Sequence, residues 1–214
     1  SDNVADNVGG YYDFSGITEV HTGVEVEGRA RVTDKFRVNA MFSYGDWRYK
    51  GNSISNRYDV NNNPIAGGTS TTLYLDKVKV GDAAQMTASL GASYEVLTRV
   101  TLDANYNFND KLYAIISPAN FSKADNRGSL ELPSYGLLDA GFSYKIFVDK
   151  KRGDSFDLRL NVNNVLDEVY IAESKSNIFA QDVPTVPTYK GIATTNQVYF
   201  GFGRTWNFSL RYNF

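Results

Sequence analysis

Cysteine is absent from this 214-residue sequence and histidine occurs once, at His21. Those two absences exclude a disulfide framework, thiolate chemistry and a zinc cluster built from Cys and His. Neither sign of charge is in excess, with 22 basic against 24 acidic residues, so the electrostatic footprint of a nucleic-acid binder is missing. No run of about eighteen apolar residues exists, and the mean hydropathy is negative, which removes helical membrane spans but leaves β-barrels untested. The opening SDNVADNVGG carries neither a charged nor an apolar leader region, so no signal peptide is expected in the chain. No Gly-x-Ser-x-Gly elbow or pairing of nucleophile with base is visible, and neither an enzyme nor a cofactor is expected. What the sequence does have is Tyr (15), Phe (13) and Gly (18) with only 5 Pro, a mixture that favours an all-β protein.

A period of two recurs along the chain. Reading back from Phe214, every second residue is Tyr212, Leu210, Phe208, Trp206, Arg204, Phe202, Phe200 and Val198, with Asn213, Arg211, Ser209 and Asn207 among those between. This is the spacing by which a strand presents one apolar and one polar face. It predicts one long closing strand from Val198 to the terminus. Six more strands show the same pattern, centred on Val24–Val32, Phe36–Tyr44, Met86–Val96, Val100–Phe108, Leu138–Val148 and Phe156–Val162. Connections near residues 33, 98 and 152 are short, whereas those at about 50–83, 116–134 and 174–196 are long, polar and rich in Asn, Gly and Ser. Short turns at one end and long loops at the other describe an antiparallel up-and-down meander.

Alternation alone does not say which face points outward, and a lipocalin-like barrel shares it. Three features favour a membrane wall. The strands reach the nine to eleven residues that a tilted bilayer crossing needs. Their polar face is dense in hydrogen-bonding residues and opposite charges. Aromatics stand near the ends of the apolar face, at Phe36, Tyr94, Phe147, Trp206 and Tyr212, where an interfacial girdle belongs. Arg204 is the one charge in the apolar register of the last strand. It is expected to meet lipid phosphate at the far interface, unless the strand begins later or bulges.

Seven strands are odd in number and too few for a single-chain bacterial barrel, so closure needs more wall. The stretch HTGVEVEGRARVTDKFRVNAMFSYGDWRYKG resembles a strand, short turn and returning strand of TonB-dependent outer-membrane receptors. LRLNVNNVLDEVYIAES is similar to their late-barrel motif, reading here Asn164, Val165, Leu166, Asp167 and Tyr170. The ending resembles the C-terminal signal of outer-membrane proteins, carried by Trp206, Phe208, Leu210, Tyr212 and Phe214, and its style looks like receptors from Bacteroidetes.

The resemblance implies that residues 1–214 form a single domain, the C-terminal seven strands of a twenty-two-stranded barrel in the outer membrane of a Gram-negative cell. The C-terminus would be periplasmic, and plug domain and signal peptide are expected to be absent from the chain. The implied function is energy-coupled import of a scarce nutrient such as a siderophore, cobalamin or glycan. The alternative is a passive channel or small structural barrel. The implied partners are outer-membrane lipid and lipopolysaccharide, the remaining barrel and plug, the TonB energy-transducing complex through that plug, and the barrel-assembly machinery. Glu25, Glu27, Arg29, Arg31, Asp103, Asp139 and Arg159 would face a plug across the lumen or merely pair among themselves, as would Arg37, Lys145, Asp157 and Arg211. In the outer loops Tyr58, Tyr74, Phe121, Tyr135 and Tyr189 are candidates to cap a substrate. His21, on the polar face beside Glu19 and Gly23, is open to a ligand role but reads better as a solvated wall residue. Asp59-Val60-Asn61-Asn62-Asn63-Pro64 opens like a calcium loop, but Pro64 replaces the required Gly, and a turn-rich loop tip fits better. Arg152-Gly153-Asp154 reads as a tight turn.

Overall fold

The computed structural model describes residues 2–5, 10–14, 16–65, 70–149 and 152–214, and for 2–5, 118, 119 and 149 the backbone only. Its main feature is a seven-stranded antiparallel sheet of β1 (Thr18–Arg31), β2 (Phe36–Lys50), β3 (Met86–Leu97), β4 (Val100–Asp110), β5 (Tyr135–Asp149), β6 (Asp154–Asn163) and β7 (Thr205–Asn213). Strand neighbours follow chain order throughout, so the sheet is a simple meander from β1 to β7. Lengths of 9 to 15 residues suit a tilted bilayer crossing. Lys150 and Lys151, in the third expected turn, lie outside the described residues. Gly153 closes that turn with φ +87°, a conformation that costs a side-chain-bearing residue but not glycine.

The register separates the faces across the middle of the sheet. One row across all seven strands reads Ala30, Val38, Ala92, Ala104, Ala140, Val162 and Trp206. The row beside it, on the opposite face, reads Arg31, Arg37, Ser93, Asp103, Gly141, Asn161 and Asn207. That polar row also climbs away from the short turns. Arg31 ends β1, Ser93 stands four residues before the end of β3, and Gly141 stands eight before the end of β5. Such a stagger is what strands tilted within a barrel wall require.

Burial in this sheet is inside-out for a water-soluble protein. Along β4 the apolar Leu102, Ala104 and Tyr106 are exposed, while Thr101, Asp103, Asn105 and Asn107 on the other face are half-buried. Leu90 is 64% exposed beside the buried Gly91. The edge strands β1 and β7 are exposed on nearly all residues of both faces, so β3 and β4 in the middle decide the matter; beside its short turn β2 departs from them, with Arg37 and Asn39 exposed next to the half-buried Phe36 and Val38. Each large apolar side chain left in water forgoes about 1.5–3 kcal/mol, and one contiguous row of them is beyond what a soluble monomer keeps.

The dry cores lie elsewhere, at the end of the sheet away from the short turns. One cluster gathers Phe14, Tyr49, Leu73, Leu75, Val78, Val80 and Phe121; a second gathers Leu112, Ala114, Leu130, Leu132, Ile171 and Ile192. The three long connections thus pack into a loop cap with short ladders of its own, at 53–58 with 71–73, 112–113 with 131–132, and 188–189 with 192–193. Gln85 pins this cap to the wall. Its buried amide nitrogen donates to the carbonyls of Trp47 (3.0 Å) and Val80 (3.0 Å), and its oxygen accepts the Trp47 N–H (3.1 Å).

Three expectations are corrected. The closing strand is not continuous from Val198: Val198–Phe200 pairs with Ile171–Ser174, residues 201–204 leave the ladder, and β7 begins at Thr205. Arg204 therefore precedes the strand instead of standing on its lipid face, because its N–H is held by the Asp167 carboxylate at 2.8 Å. Phe147 falls in the polar register opposite Ser155, not in the apolar girdle, and its ring lies 5.3 Å from the Arg99 guanidinium and 5.5 Å from the Lys145 ammonium. Cation–π attraction to two bases, beside a bulge at Phe147/Asp149, accounts for its place.

Candidate functional site

The polar face of the wall and the rim where it meets the loop cap hold most of the candidate functional residues. Arg159 is the centre of the wall network. Its guanidinium grips Asp103 with both Nη atoms (2.5 and 2.7 Å), and also donates to Ser143 Oγ (2.9 Å) and Asn161 Oδ1 (2.7 Å). The fork reaches two strands over because Gly141 lies between: a Cβ there would meet Arg159 Nη2 at 2.2 Å. Gly91 clears the same kind of path for Asn39 and Asn105. Asp139 accepts the N–H of Asn164 (2.8 Å), so this carboxylate fastens a turn. Asp103, Asp139 and Arg159 are thus committed within the wall. Glu27 pairs with Arg29 (2.5 Å) and Arg31 with Asp34 (2.7 Å), both far more exposed, while Glu25 stands exposed on β1.

At the rim, β1 and β2 bring His21 and Trp47 directly opposite each other in the polar register. Their rings stack at 4.8 Å with 9° between planes, and Glu19 Oε2 lies 3.1 Å from His21 Nε2. Trp47 can lie flat because Gly45 has no side chain, a Cβ at that position meeting its indole Nε1 at 2.5 Å. Glu19, His21 and Trp47 line an open cavity with Gly81, Asp82 and Ala83. On the far side of the sheet Tyr135 opens β5 in the polar register and stacks on Tyr170 at 4.1 Å. Sequence reasoning missed Trp47 and gave Tyr170 only as part of the late-barrel motif. The signal for Trp47 was present, since it extends the polar register of β2 and an aromatic there breaks the pattern.

The structure does not gather the five loop aromatics into one site. Phe121 is fully buried in the first cluster and unavailable to a substrate; its position is set by the helical turn Pro118–Phe121 packing into the cap. Tyr135 belongs to the wall, not to a loop. Tyr58 stacks on Tyr11 at 5.5 Å. Tyr74 borders a groove with Asp76, Lys77 and Arg127. Tyr189 donates to the Val169 carbonyl (3.1 Å) and meets Phe200 edge-on at 5.5 Å. Beside it Lys190 binds Glu168 (2.6 Å), a contact that raises the ammonium above its ordinary pKa. Asp59 organises the loop tip: its Oδ1 accepts the N–H groups of Asn61 (2.8 Å) and Asn63 (2.9 Å), and Asn63 chiefly holds the carboxyl below its usual value.

The motif at Asn164–Tyr170 explains the break in the last strand. Eight residue steps separate Asn163 from Ile171 on one side of the hairpin, but only five separate Thr205 from Phe200 on the other, so three extra residues are absorbed. Asn164 (φ +50°) and Asp167 (φ +57°) take the left-handed turns that Asn and Asp tolerate best. The bulge is then sewn to its partner by Asn164 Nδ2 to the Phe202 carbonyl (3.3 Å), Gly201 N–H to the Tyr170 carbonyl (3.0 Å) and the Arg204–Asp167 bond. Gly201 is required here, because a Cβ would enter the Tyr170 ring at 1.9 Å.

Comparison with known proteins agrees with this geometry. A family model described as TonB dependent receptor-like, beta-barrel, matches residues 1–165. The chain is 23% identical over 160 residues to the probable TonB-dependent siderophore receptor PiuA of Acinetobacter baumannii, covering 75% of this chain and 18% of that protein. It is 26% identical over 157 residues to the ferrioxamine receptor of Yersinia enterocolitica, covering 73% and 18%. The crystal structure of the siderophore receptor PiuA from Acinetobacter baumannii superposes with a TM-score of 0.54 at 22% identity, over 94% of this chain and 22% of that one, which shows the fold. The chain spans less than a quarter of the length of these relatives.

Proposed function

The chain belongs to the TonB-dependent receptor-like β-barrel family, and from that premise we propose that it is one arc of the barrel wall of an outer-membrane receptor importing a scarce nutrient by energy coupling. A ferric siderophore is the favoured cargo, since both curated relatives are named for siderophores; cobalamin or a glycan are the other classes. The observation that carries the reading is the inside-out sheet: a contiguous apolar row running Phe36, Tyr94, Leu102, Phe142, Leu160 and Phe208, exposed at Tyr94, Leu102 and Phe208 and half-buried at the other three, behind a hydrogen-bonded polar face. Hydrocarbon covers such a row where water would not.

Under this reading residues 1–214 are a single C-terminal barrel segment, with the plug and the rest of the wall supplied from outside them. The short turns at 32–35 and 98–99, and Gly153 before β6, lie at the same end of the sheet as Phe214, which favours a periplasmic C-terminus. Exposure of Trp206, Phe208, Leu210, Tyr212 and Phe214 suits recognition by the barrel-assembly machinery, and the style of this ending favours a receptor of Bacteroidetes type. Lipid and lipopolysaccharide contact the apolar face, and the TonB complex acts through the plug. His21, Trp47, Tyr58, Tyr74 and Tyr189 are the residues at or above the rim assigned to substrate. The function is transport, not catalysis.

The test is uptake of a radiolabelled ferric siderophore by cells carrying the full-length receptor, with and without TonB and with the proton gradient collapsed. Accumulation that depends on both is expected. Accumulation indifferent to both would establish the passive-channel alternative instead.

A further inference from the structure

Arg29, Arg31 and Arg37 converge at the short-turn end of β1 and β2, all in the polar register, and with Asn39 and Ser93 and the intervening Ala30 and Val38 they line a surface cavity. Arg31 and Arg37 are direct cross-strand partners. Like charges in that relation destabilise a sheet unless an anion lies between them. The neighbouring acids do not supply one. Glu27 is taken by Arg29, and Asp34, on the turn, reaches Arg31 with its side chain 94% exposed. Asp103, the carboxylate in Arg37's own row, is gripped on both oxygens by Arg159, and Glu95 accepts the N–H of Arg99. Arg37 has no carboxylate within 4 Å among the described residues.

Elsewhere on the polar face Arg159 and Lys145 face carboxylates, whereas this corner gathers three guanidinium groups around Arg37, which faces none. Three guanidinium forks fit carboxylates better than they fit any neutral group. Lipid is the wrong occupant, because the apolar row Ala30, Val38 and Ala92 lies on the opposite face of the same strands. We infer that Arg29, Arg31 and Arg37 form a docking site for an acidic polypeptide segment, bearing at least two Asp or Glu side chains, presented within the lumen by the part of the receptor outside these 214 residues. This rests on the barrel-wall reading above and sharpens it. Among the charges first assigned to the lumen, Asp103, Asp139 and Arg159 hold the wall together, and the arginine corner receives the partner.

The experiment uses the full-length receptor in outer membranes, with the photo-crosslinking residue p-benzoylphenylalanine in place of Arg37 and, as a control, in place of the turn residue Lys35. Folding of each variant is verified by its heat-modifiable gel mobility, and adducts are mapped by mass spectrometry. The expected adduct joins position 37 to a peptide containing two or more acidic residues from outside this chain. A cysteine placed on that peptide should then react with a water-soluble maleimide about tenfold faster in the R31E/R37E variant. Protection should return when the acids are exchanged for lysines, and R37K should keep most of it. An adduct to a peptide without acids, the absence of any adduct, or unchanged protection in R31E/R37E overturns the docking site while leaving TonB-dependent uptake untouched. An adduct to lipid A overturns the face assignment itself, and with it the barrel-wall reading.

Discussion

Phe121 in the loop cap and Phe208 in the wall are the same residue with opposite surroundings: the first is 0% exposed and the second 64%. The cap buries its apolar residues against each other, as any water-soluble domain does, and so carries its own cohesion. The wall leaves its apolar side open, with Leu90, Leu102 and Phe208 exposed and Phe142 and Leu160 only half-buried. Its strands are held to each other by ladders and by a polar network around Arg159, and its apolar side chains await a solvent other than water. One chain therefore contains two regions whose stability depends on different media, and perturbations of the two should separate cleanly.

The largest separation is expected from Phe121→Ala. Emptying a fully buried aromatic site costs about 3–5 kcal/mol, all of it in the cap. Limited proteolysis of the refolded receptor should cut within 50–83 and 116–134 while the wall keeps its heat-modifiable mobility. Leu160→Arg should do the converse, costing about 2–4 kcal/mol in urea unfolding from vesicles if the site lies near the bilayer midplane, with loop proteolysis unchanged. In a wall exposed to water the same change would cost under about 0.5 kcal/mol.

Asp103→Asn should cost the wall about 1 kcal/mol, since the pair with Arg159 is strong in geometry but only about two-thirds buried. High salt should narrow the difference from wild type, whereas it should leave Phe121→Ala unaffected. The smallest effect is a pH response of the loop tip. Asp59 has a carboxyl pKa held below its ordinary 3.8 by the Asn63 N–H and side chain, so its contribution is present above that value and lost as pH falls through the lower, folded one. Amide exchange at Asn61 and Asn63 should quicken below pH 3.8 and stay flat from pH 5 to 7, with no change in the wall.

The wall was legible in the sequence because a strand with unlike faces writes its period into every second residue, and here it does so over 9 to 15 residues at a time. The cap was not legible. Leu73, Leu75, Val78 and Val80 belong to one core, but they sit in a connection with no sustained period. The break at residues 201–204 was hidden for a specific reason: the three extra residues sit on the partner segment at Asn164–Tyr170, so the closing segment keeps its alternation in print while leaving its ladder in space. Asn164 and Asp167, turn-formers just past the strand Phe156–Val162, were the visible trace of it. The lumen charges were found as a set, but which of them pair is decided by register and by the glycines at 91 and 141 that let long side chains cross.

Because the chain contains no cysteine, single cysteines can report the wall directly. Nitroxide labels at Leu90, Leu102, Phe142 and Phe208, and at their neighbours Gly91, Asp103, Ser143 and Asn207, would be compared in the full-length receptor in lipid vesicles for collision with oxygen and with a water-soluble nickel chelate. The account predicts strict alternation, with the apolar positions favouring oxygen and the polar ones the chelate. The reverse phase, or equal access of the chelate to both sets, would contradict it.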